Sequence, residues 1–587
     1  MNNNTCTSVK GFSWMVNPVS QEEVTKMMSH VGINEIIARI LVGRDVALEK
    51  VSSFLKPTLK ELLPDPFHFL DMDKAAEFIS EAIINKEKIV IFGDYDVDGA
   101  TSSALLKRFF SSLDADVEIY IPDRIGEGYG PNIDAFTLLN NQGTKLIITV
   151  DCGTASFEAI EYAVNKGLKI VVVDHHLSGD TLPAANALVN PNRKDETSKY
   201  GYLAAVGVAF LVAVAVTAIL RKKGYFISRE EPYLIDLLDI VAVGTICDVV
   251  PLEDLNRAFV VQGLKIINKR KNLGIVAISK LLNIEDAITT YHLGYVIGPR
   301  INAGGRVGNS SLGAKLLSTE DSDEAMEIAQ QLESYNAERR AIEFGVFEQA
   351  LLQANQQSKE DALIMVSSEG WHPGVVGIVA GRLKEIMNKP VAVLSLNGDL
   401  AKASCRSVYG VDFGSAIVSA KEEGIISSGG GHKMAAGFTA NIKDLPAVKS
   451  FLHNKFTKEL SLLSDQKIRY FDSYISINAV NLELAKKLET LGPFGPSNSE
   501  PRFILTKVYI SRAVVFAENH VSCFVRDSDS GNTSGLLKAN AFRVMNTDLG
   551  SFLLGVKQPI NLVGYIKINR WKGRENPEFF IEDAILT

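Results

Sequence analysis

Ile89–Ser102 reads IVIFGDYDVDGATS. A run of β-branched and aromatic residues, Ile89 to Phe92, ends at Gly93. Aspartates follow at every second position, Asp94, Asp96 and Asp98, before Gly99 and a run of small residues that can open a helix. An apolar run closed by a Gly-rich turn reads as a buried parallel strand with a site at its C-terminal end. Carboxylates packed this closely repel one another unless a cation sits among them. A solvated Asx-rich turn is the bland alternative. Ligand sites of open α/β sheets lie beyond strand C-termini, and that position favours a metal site. Alternate residues of an extended segment share a face, so all of the aspartates point inward only if the chain stays extended. A turn beginning at Gly93 is expected to swing Asp94 into an outer-shell role.

Working outward, the pattern recurs. Lys145–Val150 is a second buried strand ending in Asp151-Cys152-Gly153, and Lys169–Val173 a third ending in Asp174-His175-His176. Leu234–Ile246 leads to Cys247-Asp248-Val249, and Val117–Ile121 adds a short strand. Asp73–Asn85, Ala100–Phe110 and Ser156–Lys166 have helical periodicity. Alternating strands and helices imply βαβ units with right-handed crossovers, in which C-terminal strand ends share one edge. Asp96, Asp98, Asp151, Asp174, His175 and His176 are therefore expected to converge, which turn chemistry alone does not explain. Asp and His ligands suit Mn²⁺ or Mg²⁺. There are carboxylates enough for two ions with one bridging Asp, an arrangement that supports phosphodiester hydrolysis without a nucleophilic Ser or Cys.

The 587-residue chain is long enough for three or four domains. Hydrophobic content of 46% and charged content of 22% are those of a soluble globular protein. Cys6, Cys152, Cys247, Cys405 and Cys523 form no CxxC pair, so no disulfide framework or structural zinc site is expected and a reducing cytoplasm fits. The N-terminal MNNNTCTSVKGFSW lacks the basic and apolar regions of a signal peptide. Leu203–Leu220 is uncharged and just long enough to span a bilayer, but it stands alone and reads as a core helix of a large domain. A net charge of −8 argues against coating nucleic acid by bulk charge and leaves room for a local basic groove.

Five regions follow. Residues 1–58 read as a helical preface, closed by Pro57 and the proline-rich Glu61–Phe67. Residues 59–319 carry the strand-end carboxylates and the polar loop Pro122–Gly130. Residues 320–361 contain no proline and read as one long bridging helix. Residues 362–457 restart an α/β pattern, with strands at Ala362–Val366 and Pro390–Leu396, and end in the glycine run Ser427–Gly437. Residues 458–587 alternate as strands (Phe503–Val514, His520–Arg526, Ala539–Val544, Pro559–Arg570), as in a small β-barrel.

Several of these segments carry a family resemblance. Asp94–Gly99 (DYDVDG), the strand-end Asp151, Asp174–His176 (DHH) and Asp248 resemble the motifs of the DHH phosphoesterase superfamily. Trp371–Leu383 (WHPGVVGIVAGRL), Ala403–Ser407 (ASCRS) and Gly429–Phe438 (GGGHKMAAGF) resemble its DHHA1 companion domain. With Gly298–Gly308 (GPRINAGGRVG), the pattern is most similar to the bacterial single-strand-specific 5′→3′ DNA exonucleases of that superfamily, over about residues 60 to 585.

The resemblance implies a DHH parallel-sheet domain, a long helix, a DHHA1 domain and an OB-like barrel. It implies Asp94, Asp96, Asp98, Asp151, His175 and Asp248 as ligands of two Mn²⁺ or Mg²⁺ ions, with Asp151 as the bridge. It places His176 near the scissile phosphate and Arg300 and Arg306 on DNA phosphates, where a planar guanidinium suits paired oxygens. Ser404, Arg406, Gly430 and His432 would hold the terminal nucleotide, His432 closing from a flexible glycine loop. His372 stands between a binding and a structural role. Phe494, Arg570 and Trp571 are candidate single-strand contacts of the barrel. The resemblance further implies a monomer acting on single-stranded DNA in repair and recombination, with single-strand-binding protein and a RecQ-type helicase as partners. Two rivals stay open: a DHH phosphodiesterase acting on short oligoribonucleotides or cyclic dinucleotides, and a catalytically dead relative, which loss of ligands would mark. Two departures stand out. Gly492–Pro501 replaces a run that usually carries GNPEP, which puts DNA contact by that loop in doubt, and Cys405 takes the place of a common Ala.

Overall fold

The computed structural model describes residues 7–124, 126–128, 130–358, 360–462, 467–528 and 535–587. Cys6 and two positions of the Pro122–Gly130 loop, 125 and 129, lie outside the described residues. The chain divides into two units: Pro66–Cys247 with Ile266–Ser464, and Met1–Asp65 with Asp248–Lys265 and Asp465–Thr587.

The first unit opens on an all-parallel sheet: β1 (Ile89–Gly93), β2 (Val117–Tyr120), β3 (Leu146–Val150), β4 (Lys169–Val173) and β5 (Ala187–Val189), in the order β2-β1-β3-β4-β5. β1 and β3 are buried along their whole length, which explains their uninterrupted apolar sequence. Register decides the site. Gly93 pairs with Val150, Val150 with Val173, and Val173 with Val189. The next residues, Asp94, Asp151, Asp174 and Asn190, therefore leave four adjacent strands side by side, at a strand spacing of about 4.8 Å.

Helix α1 (Val97–Ser111) follows β1, so the chain does not stay extended through the aspartates. Asp96 is its N-cap, accepting from the Asp98 and Gly99 N–H groups. The expected core helix is α2 (Ala205–Lys222). It is long and apolar enough to cross a membrane, but 72% of it is buried inside the unit. Its N-terminus points at the aspartates and its apolar sides pack on neighbouring helices, α3 (Leu238–Cys247) among them. Further along, α4 (Gly298–Val307) leads to α5 (Ser322–Asn355), a single 34-residue helix.

The DHHA1-like part has a five-stranded sheet of β6 (Ile364–Glu369), β7 (Val391–Asn397), β8 (Leu400–Arg406), β9 (Ser428–His432) and β10 (Ala435–Asn441), in the order β9-β10-β8-β7-β6. The glycine run expected to be a flexible loop is instead strand β9, paired in register with β10. A side chain on Gly429 or Gly431 would strike strand or helix neighbours, so these glycines serve close packing.

In the second unit, β11 (Ser473–Ile475), β12 (Phe503–Phe516), β13 (His520–Asp527), β14 (Leu537–Ala541), β15 (Ile560–Trp571) and β16 (Arg574–Leu586) form a barrel closed by the β12–β15 pairing. Strand β16 lies beyond the runs expected from periodicity, and the turn at Lys572-Gly573 joins it to β15. The N-terminal segment is more than a helical preface. Ser13–Val16 forms a parallel strand with Ile468–Phe471, and Val24, Ile37, Ile40 and Leu41 share one core with the barrel. Residues 248–265, inside the range expected for the catalytic domain, also belong to this unit. Arg257 holds them there: 1% exposed, it donates to the carbonyls of Phe54, Leu491, Gly492 and Pro493 and lies over the Phe54 ring. The unusual Gly492–Pro501 loop is knit inward through buried Asn498, which donates to the Leu491 and Pro493 carbonyls.

Candidate metal centre

Asp94, Asp96 and Asp151 offer ligand oxygens within 4.8 Å of one another, and Asp151, His175 and His176 form a second group on the same criterion. Asp151 belongs to both. Its backbone has φ of 61°, a left-handed conformation that Asp tolerates better than most residues. This turn brings the carboxylate back over the strand ends, with His175 Nε2 at 3.3 Å. Asp94 does not swing away as the turn argument expected. It is buried, as are Asp98 and Asp151, and its Oδ1 has no hydrogen-bond partner among the described residues. Burial, and then the charge of Asp96, push its carboxyl up to about 8. A buried carboxylate oxygen without a donor, inside an Asp/His cage, fits a divalent cation and is costly otherwise.

Asp98 is held differently. Its oxygens accept from the Ala205 and Val206 N–H groups at 2.6 and 3.0 Å, so the N-terminus of α2 carries the charge. Burial raises this carboxyl to about 6 against the pull of His175 and those N–H groups. His175 Nε2 lies 3.9 Å from Asp98, and its Nδ1 contacts the Leu203 carbonyl at 3.0 Å, which fixes the ring. Among the described residues, Asp174 belongs to none of the ligand groups. Burial opposes its charge, but donation from His176 Nδ1 (2.8 Å) and Thr154 holds it well below the usual carboxylate range. The same bond raises the His176 pKa. Thus Asp174 orients His176, a role that the motif alone does not reveal. Asp248 directly follows α3 and is the first residue of the segment assigned to the other unit.

The pKa directions carry a consequence. Asp94 and Asp98 have folded-state pKa values raised above their unfolded ones, so the metal-free protein loses stability as pH rises from about 4 through about 8. A bound cation removes that penalty. The gain in melting temperature on adding Mn²⁺ should therefore be larger at pH 8 than at pH 6. Thermal denaturation at both values checks this, and an equal gain would contradict it.

The arginines divide. Arg300 is buried, paired with Glu333 and donating to the Val296 carbonyl, so its guanidinium is engaged within the fold. Arg306 stays near the centre. Gly305 presses on the Tyr95 carbonyl, and Arg306 donates to the Gly374 carbonyl at 2.7 Å. Burial, followed by its neighbours Arg124 and Arg339, pushes its pKa down to about 10. Arg124 lies over the Tyr95 ring at 4.8 Å. Sequence reading missed Arg124 and Tyr95. The one signal was that Tyr95 alternates with the aspartates and must point elsewhere. His372 accepts from the Gly374 N–H, a turn-forming role.

In the DHHA1-like sheet, Ser404 pairs with Gly437 and Gly437 with Gly430, while Arg406 pairs with Ala435 and Ala435 with His432. Paired and alternate positions share a face, so Ser404, Arg406, Gly430 and His432 stand together on one face. Cys405 faces the core. Of the barrel candidates, Phe494 packs against the unit's core and Arg570 is paired with Glu489 and Glu575, whereas Trp571 is 69% exposed.

Four strands that end in a row of carboxylate, His and Asn residues, with an arginine-bearing second sheet in the same unit, define a phosphoesterase of the DHH/DHHA1 class. Residues 88–245 match the N-terminal domain of the DHH family, 360–458 the DHHA1 domain and 471–583 the RecJ OB domain. The chain belongs to the RecJ family. It is 34% identical to the single-stranded-DNA-specific exonuclease RecJ of Haemophilus influenzae, over 90% of this chain and 92% of that protein. It is 32% identical to RecJ of Bacillus subtilis, over 98% of this chain and 71% of that protein. The crystal structure of RecJ with Mn²⁺ from Thermus thermophilus superposes with a TM-score of 0.80 at 26% identity, covering 97% of this chain and 78% of that one.

Proposed function

We propose that this protein is a metal-dependent exonuclease that degrades single-stranded DNA from the 5′ end to 5′-mononucleotides. The observation that carries the reading is the placement of Asp151 in both ligand groups, beside the donor-less oxygen of Asp94. Asp94, Asp96, Asp98, Asp151 and His175 would hold two Mn²⁺ or Mg²⁺ ions, with Asp248 added by motif. Bound there, such ions activate water and neutralise charge developing on the phosphate. The chain's own groups do the rest. His176, oriented by Asp174, whose bond to it raises the imidazole pKa, faces the scissile phosphate. Arg306 and Arg124 attract the phosphate backbone. Arg406 and Ser404 receive the terminal nucleotide on the second sheet. Relatives named single-stranded-DNA-specific exonucleases support this reading, as does the barrel, a fold suited to single strands.

Repair and recombination, a cytoplasmic location, a monomeric state, and work alongside single-strand-binding protein and a RecQ-type helicase belong to the same proposal, on family resemblance. The test uses one single strand labelled at the 5′ end in one sample and at the 3′ end in another, with Mn²⁺. Early release of the 5′ label as mononucleotide is expected. Early release of the 3′ label, or turnover confined to cyclic dinucleotides or short oligoribonucleotides, would overturn the reading.

A further inference from the structure

Tyr291 and Tyr295 are 62% and 75% exposed, yet their rings stack on each other, with centroids 5.3 Å apart and planes at 27°. They sit where Thr290–His292 passes through a π-helical turn, Leu293–Ile297, into α4. Such turns are rare and recur at functional sites. The rod is pressed against the catalytic fold along its length. A side chain on Gly298 would strike Cys247 Sγ at the end of α3, and one on Gly305 would strike the Tyr95 carbonyl beside the metal centre.

Burial identifies the free face. Tyr291, Tyr295, Pro299, Asn302 and Arg306 are exposed or half-buried, and Leu293, Ile297, Gly298, Ile301 and Gly305 are buried. The aromatic pair thus lies on the same stripe as Arg306, its nearer member Tyr295 eleven residues from it, about 16 Å along a helix. Helix stability does not require two large rings in water, since an exposed pair of this spacing adds only a few tenths of a kcal/mol.

We propose that Tyr291 and Tyr295 form a base-stacking platform for the single strand, a few nucleotides away from the metal centre. The inference rests on the nuclease reading above. The occupant is a single-stranded nucleic acid because the stripe runs without interruption into the arginine-lined metal site. Aromatic faces stack on any base, so the platform gives grip without sequence preference.

The test compares Tyr291→Ala/Tyr295→Ala with Tyr291→Phe/Tyr295→Phe. Each is placed in an Asp151→Asn background, so that oligonucleotides survive, and fluorescence anisotropy is read over a series of lengths. The alanine pair should bind strands long enough to reach the platform roughly ten-fold or more weakly. The deficit should vanish for shorter ones. The phenylalanine pair should bind like its parent. A 5-iodouracil moved along the strand should cross-link to Tyr291 or Tyr295 from one short window of positions. The proposal fails if the alanine pair binds every length like its parent, if the phenylalanine pair is as weak as the alanine pair, or if the substitutions alter only self-association. Circular dichroism melts identify any variant that is unfolded, and single substitutions then replace the pair. Failure of the nuclease reading shows separately, as absence of 5′-nucleotide release by the unsubstituted protein.

Discussion

Replacing Asp151 by Asn should abolish nuclease turnover while leaving the metal-free fold intact. The left-handed backbone at this position tolerates Asn, so the exchange removes charge with little added strain. Asp151 is common to both ligand groups, and its loss weakens both ends of the centre together. Activation of water and neutralisation of the phosphate are each worth several kcal/mol, so the rate should fall by ~10³-fold or more. Single-turnover release of a 5′-terminal nucleotide measures this. The gain in melting temperature on adding Mn²⁺ should shrink as well. Without metal, the variant should melt at or above the parent's temperature, because one of several mutually repelling carboxylates has gone. Full activity in this variant would move catalysis elsewhere in the molecule.

Arg257→Met should be strongly destabilising. The guanidinium is buried among carbonyls, with no carboxylate acceptor among the described residues, and burial lowers its pKa to about 10. Methionine fills much of the volume but leaves the Phe54, Leu491, Gly492 and Pro493 carbonyls without these donors. Stranded buried acceptors cost about 1–3 kcal/mol each before relaxation, so a loss of about 3–5 kcal/mol is expected. Lysine should rescue little, since it lacks the planar fork that reaches several acceptors at once. A chain of two units does not unfold in one step. Hydrogen exchange of the barrel strands and of residues 488–495 is therefore the appropriate readout, and unchanged protection there would refute the assignment.

Much of the catalytic fold is legible locally. An all-apolar strand closed by Asp and Gly states both its burial and its terminus, and parallel pairing puts such termini on one edge. Asp96, Asp98, Asp151, Asp174, His175 and His176 could thus be grouped before any contact was known. The long helix and the apolar α2 were legible for the same reason, as composition and periodicity persist over many turns. The pairing of Arg300 was not: an arginine in a Gly-rich motif looks alike whatever its partner, and the half-buried Glu333 lies on another helix. The glycine run misled because glycine marks a loop by propensity, whereas close packing in β9 demands it for space. Asp174 was expected to converge with these groups, and its oxygens are taken up by Thr154 and His176, a positioning role that the motif does not spell out.

By itself the sequence determined the α/β class, the barrel, and the set of acidic and imidazole groups able to hold metal, because alternation and strand-end chemistry are properties of neighbouring residues. Tertiary structure alone decided that Arg300 is taken up by Glu333 and the Val296 carbonyl. It also decided that Asp98 is tethered by the start of α2, and that residues 13–16 and 248–265 join the barrel's unit. Each of these depends on partners far away in the chain, and ion pairing, burial and strand pairing have no local signature from which such partners can be read.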